Sequence, residues 1–180
     1  MAWAMVKAVN RDNFGICLDT FNIAGRVYAD PTAPDGLMPK AEENLKKSLD
    51  RLVKEIDVKK VFYVQVIDGE KLSEPLVEGH KFYKPDQRPK MSWSRNCRLF
   101  YDETDLGGYL PIKQIGEAIF HGLGYEGWVS LEYFNANTSD RNPGLPSELA
   151  HRAAKSWFNL VRDLNLRVGS AVIDESGSDS

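Results

Sequence analysis

The chain has 180 residues and a mass of 20.3 kDa, with 42% hydrophobic, 27% charged and 11% aromatic residues, the proportions of a soluble, globular protein of one domain. A net charge of −3 and a pI near 5.7 weigh against nucleic acid or an anionic membrane as the main partner. There is no apolar run long enough to span a bilayer and no basic-then-apolar leader, and Cys17 and Cys97 show neither CxxC nor zinc spacing, which points to reduced thiols in the cytoplasm rather than a disulfide scaffold.

In chain order, Trp3, Val6 and Val9 fall at helical spacing, and the break at Asn13-Phe14-Gly15 ends that helix. Phe14 to Phe21 then reads as a short buried strand, with Cys17 as a packed small hydrophobe. A loop rich in Pro and Gly covers Ala29 to Pro39. An amphipathic helix follows from Ala41 to Ile56, its stripe formed by Leu45, Leu49, Leu52, Val53 and Ile56.

Val61 to Ile67, dense in β-branched and aromatic residues, is the clearest strand. The stretch from Asp68 to Asn96 has no regular periodicity, yet it carries Phe82, Tyr83, Met91 and Trp93, so an ordered active-site loop is expected rather than disorder. A short strand is expected near Arg98 to Tyr101. Pro111 opens a helix over Ile112 to His121, which Gly122 and Gly124 close. Gly127 to Phe134 reads as another strand and Ser147 to Leu164 as the last helix. The small, polar and acidic segment 169–180 reads as a disordered tail, leaving residues 1–168 as the folded unit.

Strands alternating with helices predict parallel strands with helices outside. Four such strands would make half of a (β/α)8 barrel or a small doubly wound sheet. No GxGxxG or P-loop lies at a strand-to-helix turn, so nucleotide binding has no support.

In parallel α/β folds chemistry collects at the carboxyl ends of strands. Asp19, Gln65 and Glu132 stand near three such ends. A carboxylate in an apolar strand is costly to bury unless it is paired or bound to a cation. Oxygen donors converging from neighbouring strands would suit Mg2+ or Mn2+, and the lack of His on these strands disfavours zinc. Each carboxylate alone could equally be a helix cap or a salt-bridge partner. In the segment MSWSRNCRLFY, Arg95 and Arg98, with Ser92, Ser94 and Asn96 nearby, could bind a substrate carboxylate, or could pair with Asp102 and Glu103. His80 could serve in acid–base work, whereas His121 and His151 read as structural or surface groups.

The segments NFGICLDTFNIAGRVYADP, DVKKVFYVQVID, MSWSRNCRLFY, GGYLP and GLGYEGWVSLEYFN resemble the fungal 3-dehydroshikimate dehydratases of quinate catabolism. Those enzymes belong to the sugar phosphate isomerase/epimerase-like, or xylose isomerase-like, barrel superfamily. The similarity runs over about residues 3 to 166 and corresponds to the C-terminal half of such a barrel. It implies dehydration of 3-dehydroshikimate to protocatechuate at a divalent metal held by Glu, Asp, Gln and Glu. Asp19, Gln65 and Glu132 match the last three of these, and the first Glu has no counterpart in the sequence. Many relatives carry His three residues after the metal Asp, whereas this sequence has Asn22, so no general base is assigned. The resemblance gives Arg98, together with Arg95, the task of holding the substrate carboxylate or neutralising developing charge.

A half-barrel lacks one wall of the pocket, so impaired turnover by this polypeptide is expected, as is self-association through exposed barrel edges. The alternatives are an isomerase or epimerase of the same superfamily, separated from the dehydratases by the MSWSRNCRLFY segment, and a half-barrel with no catalysis of its own.

Overall fold

The computed structural model describes residues 2–169. The apolar runs of the sequence form two adjacent strands, β1 (Ile16–Asp19) and β2 (Val61–Gln65). A third, short strand, β5 (Val129–Ser130), lies on the far side of β2, so the sheet order is β1-β2-β5, all parallel. Register places Asp19 beside Gln65 and Gln65 beside Ser130, which brings the three carboxyl ends level.

Helices cover one face of this sheet, as the alternating sequence requires. These are α2 (Thr20–Val27), α3 (Ala41–Glu55) and α5 (Ile112–Gly116), the last continuing as a π-helical turn over Glu117–Gly122. Leu18 and Val64 from the strands meet Leu45, Leu49, Ile115 and Ile119 from the helices in a single core. Each such side chain contributes roughly 1.5–3 kcal/mol by leaving water. Helix α6 (Leu145–Asp163) is the last helix among the described residues and buries Leu160, while α1 (Ala2–Val9) buries Val6. The opposite face of the sheet is open: Cys17 and Tyr63, register partners on β1 and β2, are both exposed. No helix among the described residues is long and apolar enough to cross a membrane.

Several boundaries differ from expectation. The strand expected over Phe14–Phe21 ends at Asp19, because the Asp19 carboxylate caps the backbone N–H of Asn22 at 2.9 Å and starts α2 at Thr20. The fourth parallel strand is not formed: Arg98–Leu99 (β4) pairs antiparallel with Asp68–Gly69 (β3). The parallel sheet therefore has three strands rather than four. The segment Asp68–Asn96, read as lacking regular structure, contains β3 and a two-turn helix, α4 (Pro89–Asn96), opened by Pro89. It is ordered against the core, with Leu76 and Trp93 fully buried. Apart from Gly169, the tail expected over 169–180 lies outside the described residues.

Candidate active site

Asp19 reaches the carboxyl end of β1 with 7% of its surface exposed. Its two oxygens divide their work, one taking the Asn22 backbone N–H and the other the Asn22 side-chain amide at 2.8 Å. Next to it, the Thr20 hydroxyl donates to the Ile67 carbonyl at 2.7 Å and accepts the Ile67 N–H at 2.9 Å, pinning the start of α2 to the end of β2. That pin fixes Asp19 against the level of Gln65. Gln65 accepts from the Cys17 thiol at 3.4 Å, so its amide oxygen faces the open side of the sheet.

Glu132 follows β5 by two residues and is one-third exposed at its side chain. The chain just beyond it is tied to Arg98: the Arg98 N–H donates to the Phe134 carbonyl at 2.9 Å, and the Asn135 amide donates to the Arg98 carbonyl at 3.0 Å. One main-chain bond and one from the Asn135 side-chain amide thus bring Arg98 and the segment after Glu132 together across the site.

The Arg98 side chain, 3% exposed, is the centre of the cluster. Its Nη1 donates to Asp19 Oδ2 at 3.0 Å and to Glu132 Oε2 at 2.8 Å. Its Nη2 meets Ser94 Oγ at 3.1 Å and its Nε the Ser94 carbonyl at 3.2 Å, both from the last turn of α4. The guanidinium also lies 4.8 Å from the Phe21 ring and 5.4 Å from the Phe134 ring, a cation–π setting that excludes water. Burial of the two opposing charges is compensated by this pairing and by the remaining hydrogen bonds.

Asp19, Glu132 and Arg98 therefore meet directly, Gln65 stands beside Asp19 in the sheet register, and Arg95 is apart from them. Arg95 is exposed on α4 and donates to Gln87 Oε1 at 2.7 Å, because one residue along a helix turns a side chain by about 100°. Nor do the arginines pair with Asp102 and Glu103. Glu103 is held by Arg152 of α6 through two hydrogen bonds of 2.7 and 2.9 Å. His80 turns its Nδ1 to the Phe82 N–H at 3.1 Å, His121 bonds the Leu164 carbonyl at 2.6 Å, and His151 the Ser147 carbonyl at 2.8 Å. Cys17 is exposed rather than packed, since the face of β1 that carries it has no covering layer. Partial burial, then the Asp19 and Glu132 charges, hold its thiol above the ordinary value, so it is not poised as a thiolate nucleophile.

Two carboxylates and one amide oxygen at neighbouring strand ends form a hard-donor set that fits Mg2+ or Mn2+. The guanidinium shared by Asp19 and Glu132 marks the position between them as one that takes positive charge. Among the described residues no cluster of three or more His, Cys, Asp or Glu side chains is placed to hold a metal ion, so a cation site here depends on the Gln65 amide. A separate cleft of about 550 Å3 lies against Tyr101, Glu103, Tyr133 and Arg152 and contains none of the donors or Arg98.

One family model, the xylose isomerase-like TIM barrel, matches residues 1–159. The chain belongs to the xylose isomerase-like TIM barrel family. It is 57% identical over 171 residues to a 3-dehydroshikimate dehydratase of Neurospora crassa. That match takes in 95% of this chain and 48% of the relative, so the chain spans about half the length of the curated relative it matches. Among solved structures it is similar to the IolI protein, crystallised with a bound zinc atom, at a TM-score of 0.55 and 19% identity over 91% of this chain and 43% of that one. It is also similar to a xylose isomerase-like TIM barrel/4-hydroxyphenylpyruvate dioxygenase fusion protein, at a TM-score of 0.56 and 20% identity over 94% of this chain and 22% of that one. These two likenesses establish the barrel fold shared within the family.

Of the site's supporting groups, the Phe21 and Phe134 rings and the Thr20 hydroxyl had not been singled out from sequence. Their roles depend on contacts between distant segments, and no local pattern announces those.

Proposed function

We propose that this chain carries the metal-binding and carboxylate-binding side of a 3-dehydroshikimate dehydratase site, acting in the conversion of 3-dehydroshikimate to protocatechuate. The observation that carries the proposal is the cluster of Arg98 with Asp19 and Glu132 at strand ends level with Gln65, in a chain 57% identical to an enzyme of that name. Asp19, Gln65 and Glu132 are the proposed metal ligands, and Mg2+ or Mn2+ the proposed metal. Bound there, the metal would supply Lewis-acid stabilisation of the charge that develops on the substrate ketone oxygen.

The dehydration removes a proton from the carbon next to the ketone and a hydroxide from the adjoining position, and the resulting cyclohexadienone becomes aromatic when its remaining ring CH2 gives up a proton and the ketone oxygen takes one up. Arg98 is the residue of this chain suited to the substrate carboxylate, because a guanidinium presents paired donors to two carboxylate oxygens. Ser94 and the Phe21 ring limit the directions in which that guanidinium can point, and orientation of this kind accounts for much of enzymatic rate enhancement. Arg95, exposed and bonded to Gln87, is left a part in charge neutralisation at most. Asn22 is engaged with Asp19 and has no basic group to offer.

Residues 1–168 would form the barrel portion, and the protein would act in the cytoplasm, in keeping with its two free cysteines, with a small-molecule substrate and neither nucleic acid nor membrane as partner. Because the sheet is open on the face bearing Cys17 and Tyr63, substrate would be held from one side. Purified 180-residue protein with Mn2+ and 3-dehydroshikimate is therefore expected to form protocatechuate, followed by its ultraviolet absorbance, far more slowly than the Neurospora crassa relative. Turnover equal to that relative would refute the one-sided site, and an isomerised product would refute the dehydratase assignment.

A further inference from the structure

The positive charge between Asp19 and Glu132 is supplied by the chain itself. Arg98 Nη1 stands 3.0 Å from Asp19 Oδ2 and 2.8 Å from Glu132 Oε2, and its other nitrogens are held by Ser94. A divalent cation coordinates carboxylate oxygens at roughly 2.0–2.6 Å. An oxygen so engaged cannot also hold a guanidinium nitrogen in the same line of approach without bringing two positive charges into close contact. The low dielectric around a 3%-exposed side chain sharpens that repulsion.

We propose that Arg98 and a divalent metal compete for the Asp19 and Glu132 carboxylates, so that the guanidinium closes the site in the metal-free protein and leaves both carboxylates when metal binds. The proposal rests on the reading of Asp19, Gln65 and Glu132 as metal donors. It adds that the residue suited to the substrate carboxylate becomes available only when metal has displaced it. Ser94 holds Nε and Nη2 rather than the Nη1 that meets the carboxylates, and the Phe21 and Phe134 rings lie 4.8 and 5.4 Å from the guanidinium carbon, so the displaced group has partners to retain. Occupancy of the metal site would in this way set the orientation of Arg98.

Two measurements test this on the whole chain. Calorimetric titration of Mn2+ into wild type, Arg98→Gln and Asp19→Asn proteins compares affinities. Tenfold or tighter binding to R98Q than to wild type is expected, with little or none to D19N. NMR of the arginine side-chain N–H groups of wild type, with Mg2+ as the diamagnetic probe, reads the displacement directly and does not depend on R98Q folding. The Arg98 Nη1 protons are expected to be protected from solvent exchange without Mg2+ and to lose that protection as the site saturates, while the Nη2 protons, held by Ser94, keep theirs. Mg2+ saturation with the Arg98 protection unchanged would overturn the competition while leaving the metal site standing, as would equal or weaker Mn2+ binding by folded R98Q. Absence of binding in wild type and R98Q alike would overturn the metal site and the competition together.

Discussion

Asp68 carries its carboxyl into the core with 4% of its surface exposed, and burial pushes its pKa up to about 7. Backbone N–H groups of Gly69 and Leu110, at 2.6 and 2.9 Å, oppose the shift without cancelling it. An unfolded Asp ionises near pH 4, so between about pH 4 and 7 the folded chain keeps a proton that the unfolded chain has released. Stability should therefore fall as pH rises through that window and level off above it, by roughly 4 kcal/mol at most. Urea midpoints of wild type against Asp68→Asn across pH 5–8 check the sign: the wild type should lose ground to the variant as pH rises. At Asp19 the expectation is different in kind. Asp19→Asn keeps a capping oxygen but removes one of two anions from a buried guanidinium, and should cost near the low end of roughly 3–5 kcal/mol, because Glu132 remains. Arg95→Gln, on an exposed group, should stay within about 0.5 kcal/mol by the same denaturation measurement. The position of Asp19, Gln65 and Glu132 near strand ends was legible in the sequence because a polar residue in an apolar strand stands out, whereas the pairing of Arg98 with Asp19 and Glu132 joins segments far apart in the chain. Which of two neighbouring arginines entered the site was not legible, since that depended on where α4 ended.

Among the elements, β3 and α4 are the pieces that periodicity could not reveal. β3 is two residues long, and α4, with eight, buries Ser92 and Trp93 side by side, a pattern that matches neither helical nor strand period. Tertiary packing determines them instead. Trp93 Nε1 donates to the Glu70 carbonyl at 2.9 Å, and its ring lies 4.3 Å from that of Phe21 on α2. Gly69 sits beneath both rings: a Cβ there would meet Phe21 Cε2 and Trp93 Cζ2 at 2.8 Å each and Leu110 Cδ1 at 3.2 Å. Gly69→Ala should accordingly destabilise the chain by about 1–3 kcal/mol through overpacking, read as a lower melting temperature. Disturbance of the same aromatic pair should also loosen the Arg98 pocket, since Phe21 serves both. The longer helices were legible because their buried residues recur on one face, as Leu45, Leu49 and Leu52 do on α3.

For the whole molecule, alternation of strand and helix along the chain predicts parallel strands with helices outside, because parallel strands need crossovers and those crossovers are helices, while the choice of a barrel over a doubly wound sheet rests on the likeness of the motifs. Counting the strands from sequence failed where a two-residue ladder replaced a parallel strand. The sheet has β1 and β5 as its outer strands, and the exposed Phe62 and Trp128, at 46% and 77%, lie on β2 and just before β5. Unpaired strand edges beside exposed aromatic groups favour pairing with a second chain. Sedimentation velocity over a range of micromolar concentrations should show reversible association, and a single monomeric boundary throughout would exclude it. The open face also has a chemical address. Cys97 is fully buried and burial pushes its thiol up to about 12, whereas Cys17 is exposed and borders Gln65. The unmodified chain thus offers one thiol that a maleimide dye can reach, at mildly alkaline pH, and that dye would report whatever comes to cover the inner wall.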